Sequence, residues 1–156
     1  MAETRDSTPL QLLIVEDDHP TQIFVHALLK KTQEFSLHTA DNGQEAIAAF
    51  TAQRIDIIIT DLQMDGMDGH KLLSYMAEYH PLVPMIVLTG STTMLTMLDC
   101  LRQGALAFCT KPLADGTQLL QAVEIAKQLV VHRRRQLQHL VRLSRQHRSS
   151  KGDASA

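Results

Sequence analysis

The stretch Ile55-Asp-Ile-Ile-Ile-Thr60, followed at once by Asp61, decides the fold of this 156-residue chain. Four of its six residues are isoleucine, and a short, β-branched, apolar run is typical of a strand buried on both faces. Such strands occur in parallel sheets that have a layer of helices on each side. The run therefore predicts a buried strand of an α/β domain, with Asp61 at its carboxyl end.

Apolar runs and amphipathic stretches alternate on both sides of this strand. Strands are predicted over residues 10–15, 35–40, 55–60, 84–89 and 106–110. Helices are predicted from residue 20 onward, over residues 44–52, 71–79 and 92–103, and from residue 115 or 116 to the tail. The alternation predicts a doubly wound five-stranded parallel sheet of the flavodoxin-like (βα)5 kind, with an extended C-terminal helix.

The composition, with 44% apolar and 21% charged residues, is that of an ordinary globular chain. The sequence has no run of eighteen apolar residues, so we expect no membrane span. Residues 1–9 are polar and lack the apolar core of a signal peptide. The two cysteines, Cys100 and Cys109, form neither a disulfide framework nor a metal-binding pattern. These features predict a cytoplasmic protein.

The charge is divided between an acidic body and a basic tail. Residues 1–126 contain 16 acidic residues and 7 Lys or Arg, whereas residues 127–156 contain 8 Lys or Arg and one acid. The acidic body argues against nucleic acid as a partner of the globular part. The basic tail suits an acidic partner instead.

The sequence predicts a domain over residues 10–130, a basic helical extension over 131–148 and a disordered tail over 149–156. The extension carries a few apolar residues, too few to define a coiled coil. Four interpretations of it remain open: a solvated helix, pairing in a homodimer, docking on an acidic partner, or weak contact with nucleic acid.

Reactive side chains follow the predicted strands at the point where each strand ends. They are Glu16, Asp17 and Asp18 after strand one, Asp61 after strand three, Thr89 at the end of strand four and Lys111 after strand five. Because parallel α/β sheets bind ligands outside the carboxyl ends of their strands, we expect these groups to meet at one edge.

Carboxylates gathered at one edge repel one another, and a bound divalent cation removes that penalty. Magnesium prefers oxygen ligands, so Glu16, Asp17 and Asp61 suit Mg²⁺. Mg²⁺ and the Lys111 ammonium would together neutralise a phosphoryl group in transit, and Thr89 would donate a hydrogen bond to its oxygens. Asp61, at the tip of a buried strand, is the predicted nucleophile and would form an aspartyl phosphate.

Four motifs around these residues resemble those of the response-regulator receiver domains of two-component signalling. They are LLIVEDD at residues 12–18, DLQMDGMDG at 61–69, IVLTG at 86–90 and GALAFCTKP at 104–112. The resemblance spans about residues 10 to 130, with the motifs in the family's order. It implies a chemotaxis-regulator-like fold and a module that accepts a phosphoryl group from a sensor histidine kinase or a histidine phosphotransfer protein.

The resemblance implies a role for each matching residue. Asp61 would be the phosphorylation site, and Glu16, Asp17, Asp61 and the backbone carbonyl of Gln63 would bind Mg²⁺. Glu16 stands where the family more often has aspartate, which keeps a carboxylate at that position.

The same resemblance assigns Thr89 and Phe108 to the switch and Lys111 to the phosphoryl oxygens. Pro112 would support the lysine loop, with a cis peptide bond as one option. Phe108 lacks the hydroxyl of the commoner tyrosine. Asp65 stands where the family usually has proline, and it adds negative charge and flexibility beside the site.

The expected output is protein binding through the face made of helix four, strand five and helix five. The apolar residues of the helix predicted at 92–103 indicate either a wide core contact or a partner surface. About 25 residues after the domain are too few for an output domain, so we expect a stand-alone receiver with a downstream protein target. In a fragment of a larger protein, the extension would instead be a linker helix.

Three rival interpretations remain. A haloacid-dehalogenase-like phosphatase also uses a strand-end Asp, but its acid-base Asp would fall at Gln63. A flavodoxin-like cofactor binder would place a flavin phosphate beside the acids after strand one, which would repel it. A receiver that no longer depends on phosphorylation is suggested only by Asp65. We therefore expect a phosphoacceptor that at most catalyses its own phosphorylation and dephosphorylation, not an enzyme.

Overall fold

Five strands and five helices alternate along the part of the chain that the computed structural model describes, residues 8–90 and 93–152, with side chains through residue 146. The strands are β1 Leu10–Val15, β2 Phe35–Ala40, β3 Ile57–Asp61, β4 Met85–Thr89 and β5 Ala107–Thr110. The helices are α1 His19–Lys30, α2 Gly43–Ala52, α3 Gly69–Tyr79, α4 Met94–Arg102 and α5 Thr117–Gly152.

The strands form one parallel sheet in the order β2-β1-β3-β4-β5. The predicted doubly wound (βα)5 fold with an extended C-terminal helix is confirmed. β3 occupies the middle of the sheet, where it pairs with β1 through Leu12 and Ile57 and with β4 through Asp61 and Leu88. Its residues are all buried, as the isoleucine run predicts.

Successive strand residues point to opposite faces of the sheet and build two apolar layers. Ile57 and Ile59 of β3 pack with α1 and α5 on one face, where Leu29 and Leu119 are buried. Ile58 packs on the other face, among buried side chains of α2, α3 and α4. The sheet therefore has helices on both sides, and its strands β3 and β4 are buried along their whole length.

Polar side chains fix the loops at the carboxyl edge of the sheet by capping the helices that follow. Asp18 Oδ2 accepts a hydrogen bond from Thr21 N at 3.0 Å at the start of α1. Asp68 Oδ1 accepts one from Lys71 N at 2.9 Å at the start of α3. Each cap satisfies a backbone donor that the first turn of a helix leaves free, so the loops that carry the site are short and tied down.

Several predicted boundaries differ from the structure. β3 begins at Ile57, two residues late, because the Asp56 carboxylate accepts the Gln11 backbone N–H at 2.8 Å in place of a ladder carbonyl. α4 begins at Met94, behind a Thr93 cap, and the predicted start at Thr92 lies outside the described residues.

α5 runs to Gly152, beyond the predicted end at residue 148, because no Pro or Gly interrupts it earlier. The backbone of residues 149–152 is thus helical where disorder was predicted, and residues 153–156 lie outside the described part. The 36 residues of α5 make it about 54 Å long at 1.5 Å per residue. Among the described helices, α5 included, no segment has the length and hydropathy of a membrane span.

Two arginines at the start of the extension, Arg133 and Arg134, attach it to the domain. Arg134 Nη2 lies 2.7 Å from Asp56 Oδ2, and Arg133 Nη1 donates to the Leu82 carbonyl at 2.6 Å. Asp56 is 8% exposed and also pairs with Arg54 at 2.9 Å. α5 is therefore fixed to the edge where β3 begins, opposite the edge that carries Asp61.

Candidate functional site

Asp61 ends β3 at the centre of the carboxyl edge and is 5% exposed. Its Oδ2 accepts a hydrogen bond from Lys111 Nζ at 2.8 Å, and its Oδ1 accepts one from the Gln63 backbone N–H at 3.1 Å. Both carboxylate oxygens are therefore held, one by a cation and one by the backbone of the following loop.

Glu16 and Asp17 follow β1, as predicted. Glu16 is fully buried, and its Oε1 accepts a hydrogen bond from Asp18 N at 3.1 Å. Its Oε2 lies 2.6 Å from Lys111 Nζ as an ion pair, but it has no hydrogen bond of good geometry among the described residues. Asp17 Oδ2 accepts a hydrogen bond from Asp65 N at 3.0 Å.

Lys111 is the cation that two buried carboxylates share. Burial raises the pKa of Glu16, and this effect outweighs the opposing influence of Lys111. Burial by itself would lower the pKa of Lys111, but the adjacent carboxylates of Asp61 and Glu16 outweigh burial and raise that pKa. Lys111 therefore stays an ammonium in the folded protein at neutral pH.

The acidic cluster fits a hard divalent cation. Carboxylate oxygens of Glu16, Asp17 and Asp61 all lie within 4.8 Å of one another, and the Lys111 ammonium pairs with two of these residues, Glu16 and Asp61. The buried Glu16 Oε2 makes no well-formed hydrogen bond among the described residues, so it is available as an oxygen ligand for a cation. Mg²⁺ takes carboxylate oxygens and keeps several waters, and the cleft lined by Asp17, Gln63 and Asp65 leaves that side open.

The lysine loop and the end of β4 are tied together through the backbone. The Lys111–Pro112 peptide bond is cis, and Lys111 N donates to the Thr89 carbonyl at 2.8 Å. Thr89 is fully buried and pairs with Thr110 of β5. The structure thus brings the predicted switch hydroxyl to the strand end next to the one that carries Asp61.

The remaining predicted residues lie near the cluster without entering it. Phe108 is half-buried in β5, packs against the apolar layer of α2, α3 and α4, and accepts a weak hydrogen bond from Gln118 at its carbonyl. Gln63 contributes its N–H to Asp61, and the predicted role of its carbonyl as a metal ligand stays a prediction.

Two residues that the sequence did not predict, Gln22 and Asp65, support the site. Gln22 Nε2 donates to the Glu16 carbonyl at 2.9 Å and to Asp41 Oδ1 at 3.1 Å, and a glutamine inside a helix gives no sequence signal for this role. The Asp65 N–H holds Asp17, a bond that proline cannot make because it has no N–H. The departure from proline at Asp65 is the sequence signal for this contact, although it predicted only added charge and flexibility.

Gly69 supports Asp61 through the close approach of two backbones. Gly69 N donates to the Leu62 carbonyl at 3.0 Å, and a Cβ at this position would meet the Asp61 carbonyl and lie 2.7 Å from Leu62 Cα. Only glycine fits here, so the start of α3 packs directly against Asp61, the last residue of β3, and against Leu62 after it.

A (βα)5 sheet whose strand ends gather three carboxylates and a lysine defines the receiver class of signalling proteins. The chain belongs to the response regulator receiver domain family, whose sequence profile matches residues 12–124. Membership of this family of two-component systems supports phosphorylation-controlled signalling, and receiver domains are signalling phosphoacceptors rather than classical enzymes. Receiver domains bind Mg²⁺ through acidic residues, and such a cluster is present in this chain.

The relatives are consistent with this assignment. The transcriptional regulatory protein GlrR of Escherichia coli is 33% identical over 118 residues, which are 76% of this chain and 26% of that protein. The DNA-binding transcriptional regulator NtrC of Salmonella typhimurium is 30% identical over 100 residues, 64% of this chain and 20% of that protein. The chain spans about a fifth to a quarter of the length of such relatives.

Solved receiver structures share the fold. The signal receiver domain of an HD domain-containing protein from Pseudomonas fluorescens superposes with a TM-score of 0.73 at 22% identity, covering 80% of this chain and 99% of that one. The chemotaxis response regulator CheY4 of Vibrio cholerae gives 0.69 at 25% identity, covering 76% of this chain and 99% of that one.

Proposed function

We propose that Asp61 accepts a phosphoryl group from a phosphohistidine of a sensor histidine kinase or a histidine phosphotransfer protein. The observation that carries this proposal is the placement of the Lys111 ammonium 2.8 Å from Asp61 Oδ2 and 2.6 Å from Glu16 Oε2. An oxygen of Asp61 would form the new P–O bond as the P–N bond of the donor breaks, and the released histidine nitrogen would take up a proton.

The residues around Asp61 have separate tasks in this transfer. Lys111 would bind a phosphoryl oxygen and neutralise part of its charge, since its pKa is raised. The Gln63 N–H would hold one oxygen of Asp61, which fixes the orientation of the nucleophile. Glu16, Asp17, Asp61 and the Gln63 carbonyl would hold Mg²⁺, which supplies positive charge to the transferring phosphoryl oxygens.

The switch would follow from the new charge beside Thr89 and Phe108. A phosphoryl group on Asp61 adds acceptor oxygens, and we infer that the Thr89 hydroxyl turns toward them. Phe108 is half-buried in the next strand, so movement of Thr89 would open room for its ring to turn inward. Pro112 would keep the Lys111 loop in place during this change.

The output would be protein binding through the face of α4, β5 and α5. In α4 only Cys100 is buried, whereas Met94, Leu95, Leu98 and Leu101 are between 41% and 74% exposed. Of the two interpretations of this helix, the wide core contact is therefore wrong. An apolar surface of this kind suits a downstream protein target, with methionines that adapt to it.

We expect no nucleic-acid partner for the globular part, because its charge is acidic. Some relatives have DNA-binding in their names, but the segment that they share with this chain is only about a fifth of their length. A cytoplasmic location stays a prediction.

The test is phosphorylation of the purified chain by a small acyl phosphate in the presence of Mg²⁺, followed by mass spectrometry. The wild type should gain the mass of one phosphoryl group, and the Asp61→Asn variant should gain none. Asp65→Asn is the matched control, because it removes a carboxylate from the same loop and should still be modified. A gain that survives Asp61→Asn, or a requirement for Asp65, would contradict the proposal.

A further inference from the structure

The Asp17 carboxylate is held differently from the two acids beside it. Glu16 and Asp61 are buried, and both pair with the Lys111 ammonium. Asp17 is half-buried, and its Oδ2 accepts the backbone N–H of Asp65 at 3.0 Å. Because a carboxylate has two acceptor oxygens, this hydrogen bond leaves the group able to bind a cation. The third acid of the cluster is therefore oriented by the backbone of the acceptor loop.

The donor of this hydrogen bond belongs to a segment that is fixed independently of Asp17. The side chain of Met64, just before Asp65, is buried in the apolar layer of α2, α3 and α4. On the other side of Asp65, the Met67 carbonyl accepts the Gly43 N–H at 3.0 Å, at the start of α2. A Cβ on Gly43 would lie 2.6 Å from Met67 Cγ, so these two segments are in close contact. The Asp65 N–H is thus held in position from both sides.

Only the backbone of Asp65 takes part in this contact. Its side chain is exposed, and the atom that reaches Asp17 is the amide nitrogen. Every residue except proline supplies such a donor, and proline is the residue that the family usually has here. The departure at Asp65 therefore adds a hydrogen-bond donor directed at a predicted metal ligand, besides adding a negative charge.

A hydrogen bond of this kind affects how strongly a cation binds. The ligand oxygen of Asp17 lies within 4.8 Å of those of Glu16 and Asp61. A half-exposed carboxylate that is free to rotate loses that freedom when it binds a metal, and a fixed one does not. Loss of a hydrogen-bond partner behind a metal ligand typically weakens metal binding about 10–100-fold. Since Asp17 keeps both of its oxygens when the donor is lost, we expect the lower end of that range.

We propose that the Asp65 backbone N–H positions Asp17 for Mg²⁺, so that the residue in place of proline strengthens metal binding in this chain. Asp65 is a positioning residue, because it acts through the Asp17 carboxylate. The inference rests on the Mg²⁺ site of the proposed function and deepens it, since it assigns part of the strength of that site to a contact between two loops.

The first test compares Asp65→Pro with Asp65→Ala in the full chain by calorimetric titration with Mg²⁺. Both variants lose the carboxylate, but only Asp65→Pro loses the N–H. Asp65→Pro should bind Mg²⁺ about tenfold more weakly than Asp65→Ala. At saturating Mg²⁺ both should be phosphorylated by an acyl phosphate at the same rate, because Asp61 and Lys111 are unchanged. Thermal denaturation followed by circular dichroism checks that both variants fold.

The outcomes of this titration separate the inference from the proposed function. Equal Mg²⁺ affinities of the two variants would overturn the inference and leave Asp61 as the phosphoacceptor. A wild type that takes up no Mg²⁺ would overturn both the inference and the metal site. A wild type that binds Mg²⁺ but gains no phosphoryl group would contradict the proposed function, and the difference between the two variants would still support the inference.

The second test uses the wild type and does not depend on how well Asp65→Pro folds. If the hydrogen bond favours Mg²⁺ binding, bound Mg²⁺ must favour the hydrogen bond to the same extent. Saturating Mg²⁺ should therefore slow hydrogen exchange of the Asp65 amide, measured by NMR, by up to about tenfold. The Lys71 amide donates to Asp68 Oδ1 at 2.9 Å and is the matched control, which should not change. Equal exchange at Asp65 with and without Mg²⁺ would overturn the inference.

Discussion

Replacing Lys111 with methionine should destabilise the protein most when no divalent cation is present. Lys111 Nζ lies 2.6 Å from Glu16 Oε2 and 2.8 Å from Asp61 Oδ2, and both acids are almost fully buried. Removing one partner of a buried ion pair typically costs about 3–5 kcal/mol because the other charge is left uncompensated.

The expected loss lies at the lower end of that range. The Lys111 side chain is 19% exposed, and each carboxylate keeps a backbone donor, Gln63 N for Asp61 and Asp18 N for Glu16. We expect the free energy of unfolding to fall by about 3 kcal/mol in a chelating buffer. For a chain of this size that is a fall of roughly 6–12 °C in Tm.

Millimolar Mg²⁺ should reduce this difference, because a cation among the three carboxylates replaces part of the missing charge. Urea denaturation of the wild type and Lys111→Met, each with chelator and with Mg²⁺, measures the four free energies. Lys111→Arg keeps the charge and is the control. A loss that is the same with and without Mg²⁺, or no loss in chelator, would refute the assignment of Lys111 as the counter-ion of this cluster.

Two further predictions concern other parts of the molecule. Arg134→Met should lower the free energy of unfolding by about 1–2 kcal/mol at pH 7, against almost none for the exposed Arg135→Met. Burial raises the pKa of Asp56, but hydrogen bonds from a backbone N–H and from arginines outweigh burial and lower that pKa overall. The Asp56 carboxylate therefore stabilises the fold above its unfolded pKa of about 4, and this stabilisation is lost as the pH falls through the lower folded pKa. Denaturation measured from pH 7 to pH 3 should show that the stability difference between wild type and Arg134→Met shrinks at acid pH. Gly69→Ala should slow phosphorylation by an acyl phosphate at least tenfold, because its Cβ would displace the backbone of the acceptor residue. Gly90→Ala should react normally, because a Cβ there meets no atom of the described residues within 4 Å. Equal rates for the two variants would remove the close-packing argument.

The sequence was sufficient for the architecture because its signals are local and repeated. The isoleucine run before Asp61 and the acids after β1 fix which segments are strands and where reactive groups fall. Parallel sheets form their sites at the carboxyl ends of the strands, and this rule places Asp61, Glu16 and Lys111 together. In the structure, carboxylate oxygens of Asp61 and Glu16 lie within 2.8 Å of the Lys111 ammonium.

Contacts between distant segments were harder to predict. Asp56 interrupts a buried apolar run, and a buried acid demands a cation, but nothing in the sequence distinguishes Arg134 from its neighbours 133 and 135. Only the rotation of α5 against the sheet decides which arginine reaches the carboxylate. The contact of Gln22 is equally hard to predict from the sequence. A hydrogen bond from a side-chain amide to a backbone carbonyl depends on loop geometry and leaves no residue pattern.

The position of the Arg134–Asp56 pair determines where the extension starts relative to the surface on which a phosphoryl donor would dock. Asp56 and Asp61 bracket β3, so the two carboxylates stand about 17 Å apart at roughly 3.3 Å per residue. A donor protein that docks at Asp61 would therefore meet the edge of the sheet farthest from the Arg134–Asp56 pair, and the start of the extension would lie clear of the docking area.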